Sequence, residues 1–224
     1  MSAAEAKVLS REPITYKDPN GKARTWESAE RRTRPVNSSV DGVGIIAILE
    51  KTTGPELLLQ KQFRPPVGKV CIEVPAGLID AGESLEQCAV RELKEETGYV
   101  GQVVGDGSGV SPLMFNGMWG FPAMNPHGVL VDCRPKTLTS HPNNLDPGFC
   151  NTNLNVVHVS IDMSTEENKN PKPELESGEF IEVFSVPLSN LYSEVRKLEK
   201  DGFAIDARVG TLAEGLEVAK KWKL

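Results

Sequence analysis

Residues Gly77 to Tyr99, GLIDAGESLEQCAVRELKEETGY, decide how this chain is read. Gly77 is followed after five residues by Glu83, and seven more lead to Arg91-Glu92-Leu93, then Glu95, Glu96 and Gly98. Ser84 with Gln87 three places on is a capping-box start, and Gly98 after a periodic run is a helix stop. The interval makes about three and a half turns of helix. At roughly 100° per residue, Leu85, Cys88, Ala89 and Leu93 share one apolar stripe. Glu92 and Glu96 fall near the middle of that stripe, with Glu95 at its edge. Carboxylates three and four residues apart repel by about 0.2–0.5 kcal/mol per pair. They also sit in the last turns, where the helix dipole favours cations. The plain alternative is a solvated acidic face with Arg91 paired to Glu95. The acids interrupt a buried stripe, however, and a divalent cation is the obvious compensation. Hard oxygen ligands suit Mg2+, with Mn2+ as a substitute.

Composition sets the outer bounds. The 224 residues suffice for one sizeable domain, or one domain with a small appendage. A formal charge of −6 with pI near 5.3 argues against nucleic-acid binding through a basic surface. No apolar run is long enough to span a membrane, and the start MSAAEAKVLSREP lacks the apolar core of a signal peptide. Cys71, Cys88, Cys133 and Cys150 show no metal-ligand spacing, which fits a reduced cytosolic or nuclear protein. His127, His141 and His158 form no ligand set.

Around the acidic helix the elements alternate. Asp18-Pro19-Asn20-Gly21 marks a turn between hairpin arms at Ile14–Lys17 and Lys22–Glu30, with Arg32–Asn37 as linker. Strands are expected at Gly42–Lys51, Glu56–Phe63, Val70–Val74, Leu154–Ile161 and Phe180–Val186. Helices are expected at Pro187–Leu198 and Ala207–Trp222, the second with a stripe of Val209, Leu212, Leu216 and Val218–Ala219. Strands with flanking helices give an α/β class.

The Gly77–Tyr99 spacing resembles the Nudix signature, with Tyr99 where an apolar residue is usual. Thr25-Trp26-Glu27-Ser28, Lys61-Gln62-Phe63-Arg64-Pro65-Pro66, Glu73-Val74-Pro75-Ala76-Gly77-Leu78, Asp146-Pro147-Gly148 and Gly178-Glu179-Phe180 are similar to the eukaryotic ADP-sugar (ADP-ribose) pyrophosphatases. That resemblance implies a Nudix α/β/α sandwich with a mixed sheet over residues 38–224. It places a small antiparallel β-hairpin and dimerisation region at residues 1–37, and a homodimer. The implied reaction is Mg2+-dependent hydrolysis of ADP-ribose and related ADP-sugars to AMP and sugar phosphate, by in-line attack of water on a phosphorus. The implied metal ligands are Glu92, Glu96 and the carbonyl oxygen of Ala76, with Glu95 assisting. Glu83 and Arg91 brace the box. Glu179 is the candidate for orienting or deprotonating water, with Glu182 the alternative. Trp26 and Glu27 hold the adenine, for which a flat π-face and an amine acceptor are suited; cross-strand packing is the rival reading for Trp26. Arg31 and Arg64 contact phosphate as forked, permanently charged donors, although Arg31 lies beside Arg32 and Arg34. Leu78 and Asp146 complete the substrate set.

Two departures from that family stand out. No Trp precedes Trp26, and Val8 falls nearest the place where the family carries one. Residues 117–145 form an atypical insertion without clear period, too apolar for a linker. It is readable as a lid, a partner-binding insert or a translated intron. The last is favoured because Gly117-Met118-Trp119 is encodable as GGTATGTGG, which contains a splice donor. Other functional readings are a Nudix hydrolase of another nucleoside diphosphate derivative, or a non-catalytic Nudix-fold binding protein. Retention of Glu92, Glu95 and Glu96 speaks against the binding protein.

Overall fold

The computed structural model describes residues 9–105, 109–112 and 150–224. Val8, Asp146 and the 117–145 insertion lie outside these. The chain divides into two compact units, the first built from residues 1–42, 79–82 and 112–155, the second from 43–78, 83–111 and 156–224.

In the first unit, β1 (Leu9–Lys17) and β2 (Ala23–Arg31) form a two-stranded antiparallel sheet. Their turn is organised by Asp18, whose Oδ1 accepts from Asn20 N at 3.0 Å and Lys22 N at 2.9 Å. Gly21 takes φ +78°, a left-handed position that suits glycine. The first arm begins five residues before the expected Ile14. Pro13 masked it in the sequence, yet proline is tolerated on an edge strand, and here it pairs in register with Glu27. Beyond the hairpin, Arg34 forks onto Asp41 (2.8 and 2.7 Å) and donates to Asn151 O (2.9 Å). Asp41 and Asn153 exchange backbone and side-chain bonds at 2.8 Å. Arg34 is thus a structural anchor, a role that the sequence reading did not give it.

The second unit is a mixed sheet with helices. Its strands are β3 (Gly42–Lys51), β4 (Gly54–Arg64), β5 (Lys69–Glu73), β6 (Ala76–Leu78), β7 (Gln102–Val103), β8 (Leu154–Asp162), β9 (Ile181–Pro187) and β10 (Ala204–Ile205). The order is β10-β5-β4-β3-β8-β7, with β6 on β3 and β9 on β4. Strand β4 is the hub: its first residues pair with β3, its last with β5, and β9 runs antiparallel along Glu56–Gln62. Leu57, Leu58 and Leu59 are all buried, because the strand is covered on both faces and loses the two-residue alternation. The short β10 pairs parallel with β5, which makes the sheet mixed. The α/β expectation is met.

Helix α1 (Leu85–Thr97) has the expected ends. Ser84 Oγ accepts from Gln87 N at 3.2 Å, and Gln87 Oε1 accepts from Ser84 N at 2.9 Å. Gly98 takes φ +74° and donates to Lys94 O. A second reason holds Gly98 in place: a Cβ there would lie 2.2 Å from the backbone nitrogen of Lys172. Residues 163–180 form a strap that crosses α1 at this point. Its Glu174 N donates to Glu95 O (2.7 Å), and its buried Asn168 bonds both backbone groups of Val100 at 2.9 Å. Gly98→Ala combines left-handed strain of about 1–3 kcal/mol with a backbone collision. We expect at least about 2 kcal/mol of destabilisation in urea denaturation; a loss under about 0.5 kcal/mol would refute the crossing.

Helix α2 spans Leu191–Lys200, not Pro187–Leu198. Pro187, a favoured first helical residue, instead ends β9 opposite Glu56, and a 3-10 turn at Leu188–Asn190 intervenes. Helix α3 (Ala207–Trp222) is capped by Asp206, whose side chain accepts from Arg208 N. Its buried positions are Val209 and Ala213; Val218, expected in the stripe, is largely exposed.

Candidate active site

The end of α1, within the second unit, carries the acids. Glu96 is only 5 % exposed, and Ala76 N donates to its Oε2 at 3.0 Å. Burial pushes this carboxyl up to about 8; the Ala76 N–H opposes the rise, while Glu92 and Glu179 add to it as negative neighbours. Burial also raises Glu92, against the pull of Arg91. Gly77 makes room for it, since a Cβ at Gly77 would lie 1.8 Å from Glu92 Cδ and 2.0 Å from Oε1. The first glycine of the motif is therefore a cradle for a carboxylate.

Arg91 holds the group together. Its guanidinium donates to both Glu83 oxygens (2.8 and 2.9 Å), to Glu92 Oε1 (2.8 Å), to Glu95 Oε2 (3.0 Å) and to Leu78 O (3.1 Å). Glu83 and Arg91 thus brace loop to helix, as expected. Cys88 lies at 3.3 Å from the same Leu78 carbonyl and is buried packing. Among the described residues, no three His, Cys, Asp or Glu side chains form a ready-made metal cage. Arg91 keeps Glu92 and Glu95 engaged. The buried Glu96 and the half-buried Glu92 nevertheless fit a hard cation that takes few protein ligands and completes its shell with water and phosphate.

Arg64 forks onto Glu73 at 2.8 and 2.6 Å through Nε and Nη2, which leaves Nη1 outside the fork. Glu73 is 4 % exposed. The motif reading quoted Glu73 without giving it this part; its place on the same face as Arg64 follows from the β4–β5 register. Glu179 lies in a turn at Gly178 (φ +98°), where its Oε2 accepts from Glu176 N at 3.1 Å. Its charge is felt at both Glu92 and Glu96. Glu182 is instead bound by Lys61 at 2.6 Å. That pairing favours Glu179 between the two candidates.

The structure therefore brings together Arg64, Ala76, Leu78, Glu92, Glu95 and Glu96, with Glu179 in electrostatic reach. Trp26, Glu27 and Arg31 belong to the hairpin unit. Trp26 stands opposite Ile14 in register and is 51 % exposed. Asp146 is outside the described residues.

A family model described as the NUDIX domain matches residues 39–207. The chain is 45 % identical over 223 residues to an ADP-ribose pyrophosphatase of Saccharomyces cerevisiae, covering 99 % of this chain and 82 % of that protein. It is 37 % identical over 208 residues to an ADP-sugar pyrophosphatase of Mus musculus, covering 92 % and 80 %. The crystal structure of an ADP compounds hydrolase superposes with TM-score 0.55 at 17 % identity, over 99 % of this chain and 90 % of that one, a likeness of fold. The domain match runs through every strand from β3 to β10, and the relatives align over nearly the whole length; the chain belongs to the Nudix hydrolase family.

Proposed function

We propose that this chain hydrolyses the diphosphate of ADP-ribose and related ADP-sugars to AMP and sugar phosphate, with Mg2+ as the cation. The observation that carries the reaction class is the buried Glu96 with Glu92 one turn before it, beside the Gly77 loop. The names of the yeast and mouse relatives support the substrate class. When bound, the cation supplies Lewis-acid neutralisation of the diphosphate. The chain's own residues do the rest. Glu92, Glu96 and the Ala76 carbonyl hold the cation, with Glu95 assisting, and the Ala76 N–H fixes the Glu96 carboxylate in place. Arg91 sets the positions of Glu92 and Glu95. Glu179 orients the attacking water and accepts its proton. Arg64, kept rigid by Glu73, presents Nη1 to a phosphate oxygen. Arg31, Leu78 and Asp146 complete the phosphate and sugar contacts, and Trp26 with Glu27 takes the adenine, in a homodimer. Chromatography of a reaction of the full 224-residue chain with ADP-ribose and Mg2+ tests this: AMP and ribose 5-phosphate are expected in equal amounts. No AMP from ADP-ribose or other ADP-sugars, with turnover of an oxidised nucleoside diphosphate, would reassign the substrate.

A further inference from the structure

Strand β4 runs Leu57-Leu58-Leu59-Gln60, and all four side chains are buried. The first three suit a strand covered on both faces. Gln60 does not: it is 0 % exposed, and neither its Nε2 nor its Oε1 completes a hydrogen bond among the described residues. An amide buried this way is costly, and a Leu or Met of similar size would avoid the cost.

Its surroundings show what the amide serves. Gln60 lies opposite Glu73 on β5 and opposite Val183 on β9, so its backbone is flanked on both edges. Glu73 accepts the Arg64 fork on both oxygens and makes no hydrogen bond to Gln60. The acid that feels Gln60 is Glu96, whose ionised form the amide favours although the pair falls short of hydrogen-bond geometry. Glu96 Oε2 is held by Ala76 N, and among the described residues Oε1 has no such bond. A buried amide without a partner therefore stands beside a carboxylate that has one oxygen to spare. Amide oxygen and nitrogen exchange places on a half-turn of the side chain, so the donor reaches whichever way the amide is drawn.

We propose that Gln60 is a positioning residue for the cation site: its Nε2–H group donates to Glu96 Oε1 once a divalent cation lies against that carboxylate, fixing the carboxylate's plane. Outer hydrogen bonds of this kind orient ligating carboxylates, and their loss typically lowers metal affinity about 10–100-fold. The inference rests on the assignment of Glu96 as a cation ligand.

Titration of the full chain with Mn2+, followed by the electron paramagnetic resonance of the free ion, tests it together with thermal melting in EDTA. Gln60→Met keeps the length and removes the polar atoms. We expect Mn2+ binding at least about tenfold weaker while the cation-free protein melts at the same or a higher temperature. Gln60→Leu is expected to behave alike. A purely structural role moves the two readouts the other way, with lower melting and unchanged affinity, and that result overturns the proposal. Wild-type protein that binds no more Mn2+ than Glu96→Gln overturns the cation assignment and the Gln60 role together. Tight wild-type binding matched within about twofold by both Gln60 variants overturns the Gln60 role alone.

Discussion

Glu96→Gln is expected to lower AMP release from ADP-ribose by about a thousandfold or more, and to make the cation-free protein more stable at alkaline pH. A cation that polarises phosphoryl oxygen contributes several kcal/mol to the transition state, and each 1.36 kcal/mol is tenfold in rate. An amide keeps the shape of Glu96 but not the charge that recruits the ion. The stability effect has the opposite sign. Burial lifts the carboxyl from 4.5 to about 8, so between those pH values the folded state holds a proton that the unfolded chain has released. Stability contributed by this group is therefore full below about pH 4.5, falls as pH rises, and is lost above about pH 8. The whole penalty is at most about 5 kcal/mol. In EDTA, the wild-type melting temperature should decline from pH 6 to pH 9, and Glu96→Gln should show a flatter profile. Saturating Mg2+ should recover stability only in the wild type, because binding favours the ionised carboxylate. Turnover within tenfold of wild type would remove Glu96 from the cation site.

What could be read from the residues alone was whatever had a local cause. The two ends of α1 follow from Ser84, Gln87 and Gly98, all within a turn of the bonds they make. Helical periodicity put Glu96 on the buried stripe, and there it lies. Elements that depend on distant partners were not legible. Strand β10 is two residues long and exists through Cys71 and Ile72, over a hundred residues earlier. Strand β6 needs β3. The same limit applies to the site. Arg64 reads as a phosphate ligand by resemblance, but only the β4–β5 register shows that most of its fork belongs to Glu73. Gln60 ends an apolar run, which signals that something polar is nearby without saying what. The acid whose ionised form it favours, Glu96, comes from a helix later in the chain.

Gly77→Ala is expected to reduce turnover by at least about a hundredfold while changing folding stability by less than about 1 kcal/mol. Gly77 does not occupy the left-handed backbone region, so alanine imposes no φ penalty. The new Cβ would meet Glu92 Cδ, Oε1 and Cγ at 1.8, 2.0 and 2.3 Å. All three atoms belong to the outer part of a flexible side chain, which can turn aside. Glu92 then gives up its bond to Arg91, but Arg91 keeps both Glu83 oxygens, Glu95 and the Leu78 carbonyl, and loop and helix stay joined. The reaction has no such reserve: a ligand displaced by about 1 Å can cost on the order of a hundredfold in rate. Gly98 supplies the contrast, because its collision is with the backbone of Lys172, which cannot turn aside. Of the two glycines in one motif, Gly77 should therefore lose activity with the fold intact, and Gly98 should lose the fold first. Measuring kcat/KM and urea midpoints for both variants separates these causes. Equal destabilisation by the two substitutions would show that Glu92 is held too tightly to yield, and that Gly77 is structural.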